Sequence, residues 1–361
     1  MKKELIFLAG LAVAAMSACT KSEGPLTAQN EARVSFKPLT AKVTKAAYIT
    51  NESIDLKPGD FQFNVYAWYN TGLNNFVSDN AVEYMSNVLV KYHSDIDDKT
   101  TEGSGAWKSD ETYYWPKNGT LTFDAYAPSY ASADGTFSST AANGLEFKDY
   151  TVKDLESQYD LLYSSRSYDK TTSTNGTNTT YDGVDIVFNH ALSAIKVNVL
   201  TTDDYSGYIK LKKVSILNAY NKGTFNQNYK AGYAESSVPS AWTGHEGNVS
   251  YDLFSDNDGV ILNTDALTGV SNAIVLPQKL DHQLGKVSIK VDYSIKHGDK
   301  WLDQTSSFEL DGLYDKDVNE INEWEIGKRY TYTVKFSLEA IYFAPSVNPW
   351  TDVEMGGIIV H

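Results

Sequence analysis

The chain has 361 residues, 42% of them hydrophobic and 21% charged, the balance of a globular protein rather than a disordered or membrane-embedded one. That length suffices for two ordinary domains or one large all-β domain, and it excludes a disulfide-stapled miniprotein. The net charge is -15 and the arginines are only Arg33, Arg166 and Arg329, so the chain lacks the basic footprint of a nucleic-acid binder. Aromatic residues reach 13%, with 25 tyrosines and 7 tryptophans, an excess that favours strands over helices.

Lys2 and Lys3 precede an apolar run over residues 5–16. It is too short to span a bilayer and has the size of a signal-peptide hydrophobic region, which implies export. The run ends in Met16-Ser17-Ala18-Cys19, small residues directly before the only cysteine in the chain. This pattern resembles a bacterial lipobox, in which the Cys19 thiol takes a diacylglyceryl group, the peptide is cut before it and the new amine is acylated. A solitary cysteine has no internal disulfide partner, and several acyl chains on one residue give the stable membrane anchoring that one chain does not. The alternative is an ordinary signal peptide with a cysteine at its cleavage site.

Residues 20–30 are polar and without periodicity, a flexible tether above the lipid. Val34 and Phe36 then alternate with Ser35 and Lys37, Pro38 breaks the ladder, and Leu39, Ala41 and Val43 alternate in the opposite phase, which predicts a kinked first strand. Phe61, Phe63, Val65, Ala67 and Tyr69 share one face of a longer alternating run and predict a second strand. Similar alternation predicts strands over 121–125, 184–188, 195–199, 287–293 and 330–338. The best helical stretch, 152–161, is short, so helices serve as connectors. A polar low-complexity run over 170–180 reads as a linker or a long surface hairpin, and strand signals resume at Val184. No fixed repeat is visible. Short strands separated by Gly, Asn, Asp and Ser clusters indicate two β-sandwiches with Greek-key links, 46–185 and 186–361.

A search for chemistry finds no catalytic signature. His93, His190, His245, His282, His297 and His361 form no HExxH or other metal pair. Residues 255–260 contain part of a calcium loop, but Phe254 stands where its first aspartate belongs, so a polar turn is expected. There is no GxSxG elbow and no Gly-rich phosphate loop. The pairs Asp97-Asp98 and Asp203-Asp204 lie in polar stretches, and nothing singles out two catalytic carboxylates. The expectation is a protein that is not an enzyme and needs no cofactor or metal. Trp68, Trp107, Trp115 and Trp242 either stack on sugars or fill strand cores. The first reading describes a monomeric outer-membrane lipoprotein that binds glycans.

Several stretches fall in an order that carries a family resemblance. They are VTKAAYITNESIDLKPGDFQFNVYAWY (43–69), YYWPKNGTLTFDAYAP (113–128), YDLLYSS (159–165) and VDIVFNHALSAIKVNV (184–199). KGTF (222–225), IVLPQ (274–278), EWEIGKRYTYTV (323–334) and NPWTDV (348–353) complete the set. Together they resemble the Mfa-like fimbrillins of the Bacteroidales. The resemblance implies two transthyretin-like Greek-key β-sandwich domains and an outer-membrane lipoprotein precursor. It also implies a surface pilus subunit of the type V fimbria, with other pilus subunits as partners.

In such pilins a trypsin-like protease removes the first strand, opening a groove that a strand from a neighbouring subunit fills. Here the removable strand is carried by Val34, Phe36, Leu39 and Val43. Fully burying these four side chains contributes about 6 to 12 kcal/mol, comparable with the stability of a whole domain, so an empty groove does not persist and proteolysis gates assembly. The family often shows Thr-Arg-Ala at the cut. This chain has Thr44-Lys45-Ala46, which makes Lys45 the first choice, with Arg33 and Lys42 as alternatives. Absence of any cut would suit an anchor subunit. The tail places Ile341, Phe343, Val347, Trp350 and Val353 around Pro345 and Pro349. It reads either as the donor strand for the next subunit or as the last edge strand of its own domain. Stalk, anchor or tip position, and any host or glycan ligand, stay open.

Overall fold

The computed structural model describes residues 34–40, 61–71, 80–93, 106–116, 118–170, 183–228, 240–337 and 341–349. Leaving two-residue ladders aside, the first half of the chain runs β1 (Phe36–Thr40), β2 (Gln62–Asn70), β3 (Val82–His93), β4 (Ala106–Lys108) and β5 (Thr120–Ala127). There follow β6 (Thr136–Thr140), β7 (Gly144–Thr151), β8 (Leu162–Ser164), β9 (Ser167–Lys170) and β10 (Val184–His190). The second half runs β11 (Ser193–Thr201), β12 (Ile209–Ala219), β13 (Lys222–Asn226), β14 (Ala241–Glu246) and β15 (Val249–Ile261). It ends with β16 (Ala273–Val275), β17 (Ser288–His297), β18 (Lys300–Glu309), β19 (Lys328–Phe336) and β20 (Ile341–Pro349). The all-β expectation from aromatic excess and alternation is the fold observed.

The helix expected over 152–161 is a correction: only a 3-10 turn, Leu155–Ser157, forms there. The amide of Val152 is spent on the carbonyl of Asn221 at 2.7 Å, and the carbonyl of Leu161 accepts from the amide of Ala191 at 2.8 Å. Asp154 and Gln158 on either side of that turn are extended, so the segment is a drawn-out connector tied at both ends between β7 and β8.

Eight strands form one sheet in the order β2-β3-β4-β1-β10-β8-β5-β9, and β2 also pairs with β5, so the sheet closes on itself. Its interior is aromatic and aliphatic, built from Phe36, Phe61, Phe63, Val65, Phe123, Ile186 and Phe188 among others. The inward alternation of 61–69 is real, yet Asn64 and Tyr66 on the other face are buried as well. They are covered because a second sheet, β14-β13-β7-β6, takes two strands from each half of the chain and shares a core with the outside of β2 and β5. In that core Phe147 stacks on Phe137 at 4.2 Å and on Phe225 at 5.0 Å.

The rest of the second half is a sandwich of β16-β11-β19-β20 and β15-β12-β17-β18. Val197, Leu211, Val214, Ile289, Val291, Tyr332 and Phe336 belong to its core. The chain passes from the closed sheet to the sandwich between His190 and Ser193. That crossing is pinned by a buried contact of His190 Nδ1 with Asp160 Oδ2 at 2.8 Å.

Candidate functional site

The segment the sequence singles out first is built into the wall of the closed sheet. β1 pairs in parallel with β10, Phe36 opposite Val184 through Thr40 opposite Phe188, and antiparallel with β4 at Phe36 opposite Trp107. The amide of Val184 donates to the Ser35 carbonyl at 2.9 Å, and the amide of Val34 donates to the Tyr113 carbonyl at 2.9 Å. Val34 and Phe36 are 3% and 2% exposed. The Phe36 ring meets Phe63 and Phe123 edge-on, with centroids 6.1 and 5.6 Å away. Phe61, packed at right angles on Trp107 and Phe188, extends the aromatic wall.

Pro38 does not break the strand, which corrects the kink expected there: β1 runs through it and Pro38 is buried in the same phase as Val34 and Phe36. The reason lies in the ladder. Ser35 bonds toward β10 while Val34 bonds to the opposite flank, so alternation puts the missing N–H of Pro38 on the flank away from β10. The proline therefore removes no bond to its main partner. Gly183, just ahead of β10, sits at φ +112°, and a Cβ there would lie 2.6 Å from the Phe36 carbonyl carbon. Only glycine lets β1 seat this closely.

The rim carries little titratable chemistry. The Tyr113 phenol is pushed up to about 12 by partial burial and by its hydrogen bond to Glu111, so it stays neutral at ordinary pH. Lys91 pairs with Asp110 at 2.8 Å and holds that carboxyl below its usual range. Among the described residues no group of three His, Cys, Asp or Glu is placed to hold a metal. What remains is an apolar slot flanked by two strand edges, β4 and β10. Such a slot binds one extended segment through main-chain bonds and alternate side chains.

The family model described as fimbrillin-like matches residues 44–350. The chain belongs to the fimbrillin-like family. Among solved structures, a fimbrial protein from Bacteroides vulgatus is similar, with a TM-score of 0.51 and 17% identity over 89% of this chain and 100% of that one. A protein from Bacteroides uniformis, whose proposed role is cell adhesion, gives a TM-score of 0.48 and 18% identity over 88% of this chain and 98% of that one. At 17% identity the likeness to the Bacteroides vulgatus protein is one of fold. No curated protein matches the chain in sequence.

In this fimbrillin-like chain the last described strand, β20, lies at the edge of the sandwich. It pairs with β19 along its whole length, Phe336 opposite Ile341 through Lys328 opposite Pro349. Phe343 is 5% exposed and stacks on Phe308 at 4.7 Å and on Tyr332 at 5.6 Å. Ile341 and Val347 are half-buried. The structure thus gathers Val34 and Phe36 in one sheet and Ile341, Phe343 and Val347 in another. The backbone of Leu39 continues β1 opposite Val187. Cys19, Arg33, Lys42, Val43, Lys45, Trp350 and Val353 lie outside the described residues.

Three of the four tryptophans that a sugar platform would use are buried. Trp107, Trp115 and Trp242 are 9%, 4% and 7% exposed, and the Trp242 indole N–H donates to the Ala191 carbonyl at 2.7 Å. Trp68 is half-buried. Trp107, Trp115 and Trp242 belong to the aromatic cores, which removes the basis for glycan stacking at those three positions.

Sequence reasoning missed a buried ion pair behind the groove. The Arg166 guanidinium donates to both carboxylate oxygens of Asp124, Nε to Oδ1 at 2.9 Å and Nη2 to Oδ2 at 2.7 Å. It also donates to the carbonyls of Thr140 and Ala141. The pair ties β5 to the β6–β7 turn. The available signal was Asp124 itself, set between Phe123 and Ala125 in an apolar strand, where a carboxylate requires a cation.

Proposed function

We propose that this fimbrillin-like chain is a structural and adhesive subunit of a type V surface fimbria, exported as a lipoprotein through Cys19 and assembled by proteolysis-gated strand exchange. The observation that carries the reading is the placement of β1 as an internal member of a closed sheet, with Val34 and Phe36 buried in its core. A strand held by two neighbours and by aromatic contacts does not leave by fluctuation alone. Cutting the chain after Lys45 or Lys42 severs β1 from the rest and turns it into a replaceable peptide, whereas a cut after Arg33 leaves β1 attached. The family match begins at residue 44, downstream of β1, which supports treating β1 as separable from the assembling body.

Exchange restores what removal takes away. An incoming strand supplies the ladder bonds to β4 and β10 and refills the slot between Phe63 and Phe123. The partners are other pilus subunits and a trypsin-like processing protease, and the domains are transthyretin-like and divide at the end of β10, a few residues past 185. Treatment of the purified precursor with trypsin tests the reading. It should yield a product beginning near Ala46 that forms SDS-resistant ladders, whereas clean removal of β1 with a persistent monomer would reject it.

A further inference from the structure

The free sheet edges differ in how they are guarded against another chain. β14 holds Gly244 at φ +62° beside a register shift, and β15 holds Gly259 at φ +73° and further shifts. β6 and β16 have five and three residues, and β20 carries Pro345 and Pro349. Bulges, brevity and proline all blunt an edge. β18 has none of these. Its ten residues pair with β17 one for one, from His297 opposite Lys300 to Ser288 opposite Glu309, with no shift, no glycine and no proline.

The ladder fixes which groups of β18 are on offer. The amide of Leu310 donates to the Val287 carbonyl at 3.0 Å, and the pairing runs unbroken from there. Even-numbered residues therefore bond to β17, and the amides and carbonyls of 301, 303, 305, 307 and 309 point to the free edge. Leu302, Gln304, Ser306 and Phe308 lie opposite Ile295, Tyr293, Val291 and Ile289, which belong to the sandwich core or pack on it. This core-side row carries no charge, and Leu302 in it is 48% exposed. An inward charge, the remaining common guard of an edge, is missing too.

We propose that β18 pairs antiparallel with β18 of a second copy of this chain, joining two four-stranded sheets into one across a two-fold axis. The pairing uses neither the β1 groove nor a proteolytic cut, so it goes beyond strand exchange and stands without it.

Symmetry leaves few registers. A two-fold keeps core side against core side, so even meets even, odd meets odd and one residue sits opposite itself. With Thr305 on the axis, Leu302 faces Phe308 of the second copy, Gln304 faces Ser306 and Asp303 faces Ser307. The exposed leucine gains an aromatic neighbour, the two threonines pair, and each odd-numbered residue of the strand spends its free amide and carbonyl on the other copy. Trp301 faces Glu309 of the second copy. The Lys210 ammonium lies over that Trp301 ring at 4.9 Å, so opposite charges come together there. In its own chain Glu309 meets Lys286 in an exposed pair at 3.1 Å, which costs little to give up. With Ser306 on the axis, Asp303 would face Glu309, like charges directly opposite. With Gln304 on the axis, Leu302 would face Ser306 and Phe308 would face Lys300, and the apolar pair is lost.

The test uses the full, uncut chain with Cys19→Ser, which removes its only thiol, in sedimentation equilibrium and in disulfide trapping. The parent should sediment as a dimer that dissociates on dilution. Thr305→Pro removes an N–H that faces the free edge and spares the β17–β18 ladder, and Leu302→Lys sets a charge against Phe308 of the second copy. Both should sediment as monomers with unchanged circular dichroism. Under mild oxidation Thr305→Cys should link two chains, because residues opposite each other in such a pair lie about 5.5 Å apart between Cα atoms, within disulfide reach. Gln304→Cys and Ser306→Cys should stay unlinked, their like positions being about 7 to 8 Å apart. Linkage at 304 or 306 in preference to 305 would overturn the register. A parent that stays monomeric, or a dimer that survives in the folded variants, would overturn the pairing itself. Should Thr305→Pro unfold, Leu302→Lys decides alone.

Discussion

β1 and β20 carry like side chains in unlike settings. β1 is flanked by β4 and β10 inside a sheet that closes on itself, whereas β20 pairs with β19 at the end of an open one. Phe36 is held edge-on by two rings, while Phe343 is stacked face to face with Phe308 and Tyr332 near the sandwich rim. The difference teaches that removability is set less by the apolar pattern of a strand than by whether it lies inside a sheet or at its end. β20 can peel away from one partner, whereas β1 must leave its ladder to β10 and its bridge to β4 and so open a closed ring. A covalent cut is the natural control point for the second kind of strand and is superfluous for the first.

That contrast has a direct measure. In urea denaturation of the precursor, Phe36→Ala should destabilise by about 4–5 kcal/mol and Phe343→Ala by about 3 kcal/mol, the two ends of the range for buried phenylalanines. Equal losses would mean that the edge strand is as deeply embedded as the internal one.

Arg166→Ala comes next, at about 3–4 kcal/mol, because it leaves the Asp124 carboxylate buried and unpaired. Hydrogen exchange should locate the damage in the closed sheet and spare the β19–β20 ladder. Replacing both partners, Arg166→Met with Asp124→Leu, should recover most of the loss. Gly183→Ala should cost about 1–3 kcal/mol through its clash with the Phe36 backbone. Its signature is faster amide exchange in β1 with β20 unchanged.

The smallest expected effect sharpens the comparison from the sandwich side. The hydrogen bond from Lys212, joined by that from Ser294, holds the Asp303 carboxyl below its usual range. A folded-state pKa below the unfolded one contributes stability that is present above the ordinary carboxylate pKa and lost as pH falls through the folded value. Lys212→Met should therefore flatten the acid limb of the sandwich slightly, and leave that of the closed sheet unchanged, when local unfolding is followed against pH.

Much of this was readable in the chain. Val34 and Phe36 announced a strand before its partners were known, because alternation is a local property, and so did 61–69 and 330–338. The fimbrillin landmarks placed the chain in its family for the same reason. What stayed hidden depends on distant residues. Pro38 is harmless only because its missing N–H faces away from β10. Residues 152–161 do not become a helix because they connect β7 to β8 with both ends tied to distant segments, at Asn221 and Ala191. Trp107 and Trp242 are core residues because the closed sheet and the shared sheet cover them. Asp124 and Arg166 meet across 42 residues of chain, and Gly183 matters because of a strand that lies far ahead of it in sequence.

The most direct test of the central claim is the N-terminus of the assembled subunit. Fimbriae sheared from the cell surface and dissociated under denaturing conditions would be read by N-terminal sequencing and intact mass. The account predicts that subunits within the polymer begin at Ala46, or at another position beyond Thr40, and carry no covalently attached β1. Polymerised subunits that retain residues 34–40 on their own chain would contradict it.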